Sequence, residues 1–188
     1  TCARKPKKLD SGEPYVKIQG DAMNDQFSIG DTAPDFSFET PWNEKNCFYN
    51  VVEQGKVFLL FLRYIGCPLC QIKIDELIRD LGQFEAQGVK PMVVLQSTPE
   101  VIRGQTEQKE MPLTIVCDSA AEIFEQYGVK VGSIFRYLTP SVIRKGLASK
   151  KLGYKHGKYE GREKQLPAVF LVDTDRIIRY VYYGKNDE

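Results

Sequence analysis

Apolar positions show no period over residues 1 to about 28, which are polar and lysine-rich and are interrupted by Pro6, Gly12, Pro14 and Gly20. That pattern predicts a poorly ordered tail. From Phe36 it changes: Phe36 and Phe38 alternate with Ser37 and Glu39, as in a short half-buried strand, and turn residues follow over 41–46. Residues 57–62 are a continuous apolar run between Gly55 and Gly66, which fits a central strand covered on both faces. Residues 68–86 then place Ile74, Leu77, Ile78, Leu81 and Phe84 three or four apart, the stripe of an amphipathic helix that Gly88 stops. Residues 93–95 and 113–117 read as further buried strands. Helix starts are signalled by Thr98 with Pro99, by Thr139 with Pro140, and by Ser119 with Glu122 as a capping box, this last helix stopping at Gly128. Residues 147–165 are basic and punctuated by glycine, a surface insertion, and residues 168–172 and 177–183 flank a turn as a closing hairpin. Strands interleaved with helices predict an α/β sandwich whose sheet is mixed, parallel in the middle and antiparallel at its C-terminal edge.

Composition narrows this picture without redirecting it. A chain of 188 residues is one domain in size, here the tail 1–28 followed by a domain over 29–188. Lys and Arg total 26 against 25 Asp and Glu, so the +1 net charge supplies no general attraction to nucleic acid or anionic lipid. The basic insertion is diluted by Glu160 and Glu163 and has no recognition motif, so no nucleic-acid partner is expected. No apolar run approaches the ~18 residues of a spanning helix, and no membrane association is expected. Five cysteines (Cys2, Cys47, Cys67, Cys70, Cys117) are too sparse and irregular for a disulfide-stapled scaffold. A reducing, cytoplasmic compartment is the expectation, with no signal peptide visible.

The chemistry concentrates in Arg63, Tyr64, Ile65, Gly66, Cys67, Pro68, Leu69 and Cys70, where the central strand stops and the first long helix starts. Cys67 falls at the N-cap with Pro68 at the first helical position, beside unpaired amides and the positive end of the helix dipole. A thiolate is favoured there, and within a Cys-x-x-Cys pair a thiol can ionise near or below neutral pH. Cys70 lies one turn on, placed to resolve an oxidised Cys67 into an internal disulfide. A structural zinc site needs four ligands, and beyond this pair the chain has no second Cys-x-x-Cys and only His156, in a glycine-rich loop where it reads as exposed. No metal and no cofactor are expected. Cys117 reads as buried in a strand and Cys47 as a loop residue without a role.

Other segments carry a resemblance. Gly30, Asp31, Thr32, Ala33, Pro34, Asp35 and Phe36, then residues 112–118, then Tyr127, Gly128 and Val129, then Gln165 through Asp173, resemble in order the alkyl hydroperoxide reductase/thiol-specific antioxidant family, the peroxiredoxin-like branch of the thioredoxin superfamily. The resemblance implies a thioredoxin-like three-layer sandwich with a central mixed sheet flanked by helices. It also suggests a cis bond before Pro167 facing Cys67, which would leave the preceding residue, Leu166, open to pair with substrate. Two departures stand out. The family pattern has Thr or Ser three residues before the reactive cysteine, where this chain has Tyr64; and the family's arginine beside the thiolate has only Arg63, Arg136 and Arg162 as candidates by type. The Cys-x-x-Cys instead resembles that of peroxiredoxin-like redoxins.

The function expected is a thiol-dependent oxidoreductase: Cys67 attacks, Cys70 resolves, and Tyr64, Gly66, Pro68, Leu166 and Pro167 form the substrate groove. Its partners are a peroxide or disulfide substrate and a thioredoxin-like or glutathione-like thiol reductant, with a homodimer left open. The alternative is a non-catalytic thioredoxin-like interaction module whose Cys-x-x-Cys is structural or metal-binding.

Overall fold

The computed structural model describes residues 26–42, 44–132, 153–154 and 156–185. Most of the expected tail, the Thr139–Pro140 helix start, Arg136 and part of the insertion lie outside them. A two-stranded antiparallel ribbon of β1 (Ser37–Glu39) and β2 (Lys45–Cys47) leads into a short helix α1 (Phe48–Val52). The main sheet contains β3 (Lys56–Leu62), β4 (Val89–Leu95), β5 (Thr114–Cys117), β6 (Ala168–Val172) and β7 (Ile178–Tyr183) in the order β5-β4-β3-β6-β7. Pairs β3/β4 and β4/β5 are parallel, while β3/β6 and β6/β7 are antiparallel. The mixed sheet and closing hairpin are therefore as expected. Helices α2 (Pro68–Arg79), α3 (Leu81–Ala86), α4 (Pro99–Gln105) and α5 (Glu122–Gln126) complete the described elements.

Period-two alternation in the central strands divides the core in two. Val57, Leu59 and Phe61 of β3, with Met92 and Val94 of β4, face an aromatic-rich layer containing Phe36, Phe48, Phe124, Tyr127 and Phe170. Leu60 and Leu62, with Val93 and Leu95, face the opposite layer, where Ile74 and Leu77 of α2 and Ile102 of α4 cover them. Cys67 and Cys70 belong to this second layer. Both faces of β3 are thus sealed, which is why its sequence shows no alternation.

Two local expectations change. The helix expected over 68–86 is broken at Asp80, whose φ of −93° and ψ of 5° leave the helical region. Asp80 is gripped by the Arg79 guanidinium through both carboxylate oxygens, and Gln83 N–H reaches back only to the Asp80 carbonyl. The capping group of α5 is Asp118, whose carboxylate accepts from the amides of Glu122, Ile123 and Phe124 at 2.9, 2.9 and 3.2 Å. An aspartate reaches three orphan donors that a serine hydroxyl at 119 would have to share. Among the described residues no helix is long and apolar enough to cross a membrane.

Candidate active site

Strand β3 ends at Leu62, and the next five residues turn into α2 with Cys67 at the N-cap and Pro68 at the first helical position. The turn is closed by Cys67 N–H to the Tyr64 carbonyl at 3.2 Å, and the Ser97 hydroxyl accepts from Ile65 N–H at 3.0 Å. Cys67 and Cys70 are both reduced and buried, with relative exposures of 0% and 4%. The helix brings the two sulfurs together, and the Cys70 thiol donates to the Cys67 sulfur. Arg63 supplies the second donor, its Nη2 lying 2.8 Å from Cys67 Sγ.

These contacts decide which sulfur is the anion. Hydrogen bonding from Cys70, opposed by burial and reinforced by the positive charge of Arg63, pulls the Cys67 thiol down to about 6. The same bond and burial push Cys70 well above the ordinary thiol value, so it stays protonated. The helix N-terminus contributes through the Cys70 amide, yet Arg63 and the partner thiol matter more. Of the two candidate arginines among the described residues, Arg63 lies against the sulfur, while Arg162 pairs with Glu125 and donates its amide to Gln96 Oε1 at 2.7 Å.

The segment 156–165, expected as solvated insertion, lies across this turn. Gly157 N–H donates to the Gly66 carbonyl at 2.8 Å, and any side chain at Gly66 would collide with the backbone of Gly157 and Lys158. Glu163 meets the site three times: its carbonyl accepts from Arg63 Nη1 at 2.7 Å, its Oε2 lies 3.7 Å from the same nitrogen, and its Oε1 accepts from the Tyr64 hydroxyl. Tyr64 is wholly buried, and its oxygen is 3.2 Å from Nε2 of His156, which is itself exposed as expected. Buried Gln96 and Gln165 bond to each other at 3.0 Å and tie the segment to the end of β4 and to the Val129 and Lys130 carbonyls. Nothing in local sequence pattern marks Glu163, whose partner Arg63 is 100 positions away.

The remaining expectations fall differently. Among the described residues no peptide bond is cis, so the bond before Pro167 is trans. Leu166 N–H is taken by the Lys130 carbonyl at 3.3 Å, and the Pro167 carbonyl accepts from Gly184 N–H at 2.9 Å. Leu166 is thereby paired with the 130–131 segment and Pro167 with Gly184, so the Leu166 amide is already engaged where the resemblance implied a residue free to pair with substrate. Cys117, expected buried, is half-buried at the end of β5, where burial and nearby carboxylates push its thiol up to about 12, away from the thiolate form. Cys47 is not a loop residue without a role: it ends β2, stands at the N-cap position of α1 and is disulfide-bonded. No cluster of three or more metal-ligating side chains occurs among the described residues.

A family model for the AhpC/TSA family matches residues 29–181. The chain belongs to the AhpC/TSA family. Membership makes it a peroxiredoxin-like member of the thioredoxin superfamily, a group whose shared chemistry is thiol redox exchange. Solved structures agree on the fold. A peroxidoxin BcpB from Mycobacterium tuberculosis is similar at a TM-score of 0.61 and 17% identity, covering 85% of this chain and 88% of that one. A peroxiredoxin 6 of Arenicola marina gives 0.64 and 16%, covering 86% and 67%. A putative thiol:disulfide interchange protein DsbE from Chlorobium tepidum gives 0.57 and 16%, covering 85% and 88%. No curated protein matches. AhpC/TSA membership thus rests on the length of the family match, which spans residues 29–181.

Proposed function

We propose that the protein is a thiol peroxidase in which Cys67 is the nucleophile and Cys70 the resolving thiol. The observation that carries this reading is the Cys67 sulfur, held as an anion between the Cys70 thiol and the Arg63 guanidinium. In the first step the thiolate attacks the terminal oxygen of a hydroperoxide. The O–O bond breaks, Cys67 becomes a sulfenic acid, and the alkoxide or hydroxide leaves with a proton from solvent. Oxidation removes the negative charge that had helped keep Cys70 protonated. Cys70 then attacks the sulfenic sulfur, water leaves, and the Cys67–Cys70 disulfide forms. A thioredoxin-like dithiol, or two equivalents of a glutathione-like thiol, then returns two electrons and restores both thiols.

Peroxide is favoured over a protein disulfide by access. Cys67 has no exposed surface under the segment 156–165, so a two-oxygen substrate needs far less displacement than a polypeptide. The second reading, disulfide exchange, is favoured by Tyr64, which stands where the family pattern has a small hydroxyl and which spends its own hydroxyl on Glu163. Stopped-flow oxidation of the reduced protein by hydrogen peroxide separates the two. Oxidation well above the rate of an ordinary free thiol, lost in Cys67→Ser, is the expected result. A rate no faster than a free thiol, with retained turnover on a disulfide substrate, selects the second reading.

A further inference from the structure

We infer that Glu163 is a positioning residue, which holds the Arg63 guanidinium against the Cys67 sulfur from the overlying segment. The inference rests on Cys67 being the nucleophile and extends that reading to a residue with no direct contact to either sulfur.

Arginine is a long side chain that surrenders considerable rotamer freedom when fixed. At the end of β3 the Arg63 side chain retains 16% exposure, and its Nη1 is held by the Glu163 carbonyl at 2.7 Å while Nη2 addresses the sulfur at 2.8 Å. A planar fork fixed at one nitrogen presents the other in a set direction, which a single contact to a polarisable sulfur would not do. The carboxylate does a different job. At 3.7 Å and 45% exposure its ion pair with Arg63 is solvent-screened, so direct attraction is the weaker of its contacts. Its firm bond is to the hydroxyl of Tyr64, a fully buried side chain adjacent to Arg63 in sequence. Consecutive residues of one turn therefore grip one residue of the segment, Tyr64 by the carboxylate and Arg63 by the carbonyl. Removing the side chain frees the backbone to drift and takes the carbonyl away from Nη1.

The sign of the effect distinguishes this role from simple electrostatics. A carboxylate acting only through its charge disfavours the nearby thiolate, and its removal would make Cys67 ionise more readily. A carboxylate acting through Arg63 has the opposite effect when removed. The test is iodoacetamide alkylation of Cys67, followed by peptide mass spectrometry from about pH 4 to about pH 9, which reads the thiolate without requiring turnover. Glu163→Ala is expected to lower the alkylation rate at pH 6, taken relative to its own high-pH plateau so that altered reagent access cancels, roughly 5-fold. Glu163→Gln, whose amide oxygen still accepts from Tyr64, is expected to stay within about 2-fold of wild type. Glu163→Ala placed on Arg63→Ala is expected to add nothing, because the effect travels through Arg63. Overturning results are an unchanged or faster plateau-normalised rate at pH 6 in Glu163→Ala, failure of Glu163→Gln to restore it, or an equal slowing on the Arg63→Ala background, which would mean that the effect does not travel through Arg63. A wild-type profile with the midpoint of an ordinary thiol defeats the nucleophile assignment as well. A depressed wild-type midpoint that Glu163→Ala does not move defeats this inference alone.

Discussion

Ionisation of Cys67 is a contest between burial, which opposes charge, and two donors that reward it. Arg63→Ala removes a charge-assisted hydrogen bond, worth about 1.5–3 kcal/mol, so alkylation at pH 7 should slow roughly 10-fold while the rate at pH 9 and above approaches wild type. Arg63→Lys should fall between the two, since one ammonium cannot hold both the sulfur and the Glu163 carbonyl in a planar fork. In the wild type, reactivity should be half-maximal near pH 6, the value at which Cys67 ionises, falling below it and level above. Cys70→Ser keeps a donor toward Cys67 but cannot close a disulfide. It should react once with peroxide and stop, the sulfenic acid being trapped by dimedone and seen as a mass shift. Much of this was legible beforehand: Cys67 at the N-cap, Pro68 behind it and Cys70 a turn on all follow from spacing. Selecting Arg63 over Arg162, and finding Glu163 at all, needed the chain folded back across the turn, because no periodicity links positions so far apart.

At the scale of elements, strand positions were the most readable, since apolar runs and alternation survive whatever tertiary contacts add. Residues 168–172 are found as β6 without change. Helix termini were less readable because several residues compete for the same orphan amides: Asp118 captures three of them, and Ser119 is left exposed. Asp118→Ala should therefore cost about 1–2 kcal/mol in urea denaturation, with Asp118→Asn recovering part of it. The short helix α1 was missed because five residues offer too little stripe to detect. The trans bond at Pro167 shows the limit of carrying a feature over from a resemblance, since the hydrogen bonds of Leu166 and Pro167 hold them in the approach to β6. Gly66→Ala tests how closely the segment 156–165 must sit. The added methyl group meets backbone rather than a yielding side chain, so about 1–3 kcal/mol of stability and the protection of Cys67 from alkylating reagents should be lost together.

For the molecule as a whole, the sheet separates two tasks. One face carries the cysteines; the other packs Phe61, Tyr127 and Phe170 into one tilted and two edge-on contacts with centroids 5.1–5.6 Å apart. Phe170→Ala should cost about 3–5 kcal/mol by thermal or chemical unfolding yet leave the pH midpoint of Cys67 where it was, because no contact in the aromatic layer reaches the sulfur. Besides the side chains of Glu163 and Gln165, three main-chain groups fasten the cover over the cysteine: the Gly157 amide, the Arg162 amide and the Glu163 carbonyl. Amides and carbonyls are common to nearly every residue type. Between those anchor points Tyr159 stacks on His156, whereas the exposed side chain of Lys158 can be recoded with little harm to the architecture, a point of rewritable surface directly above a reactive sulfur.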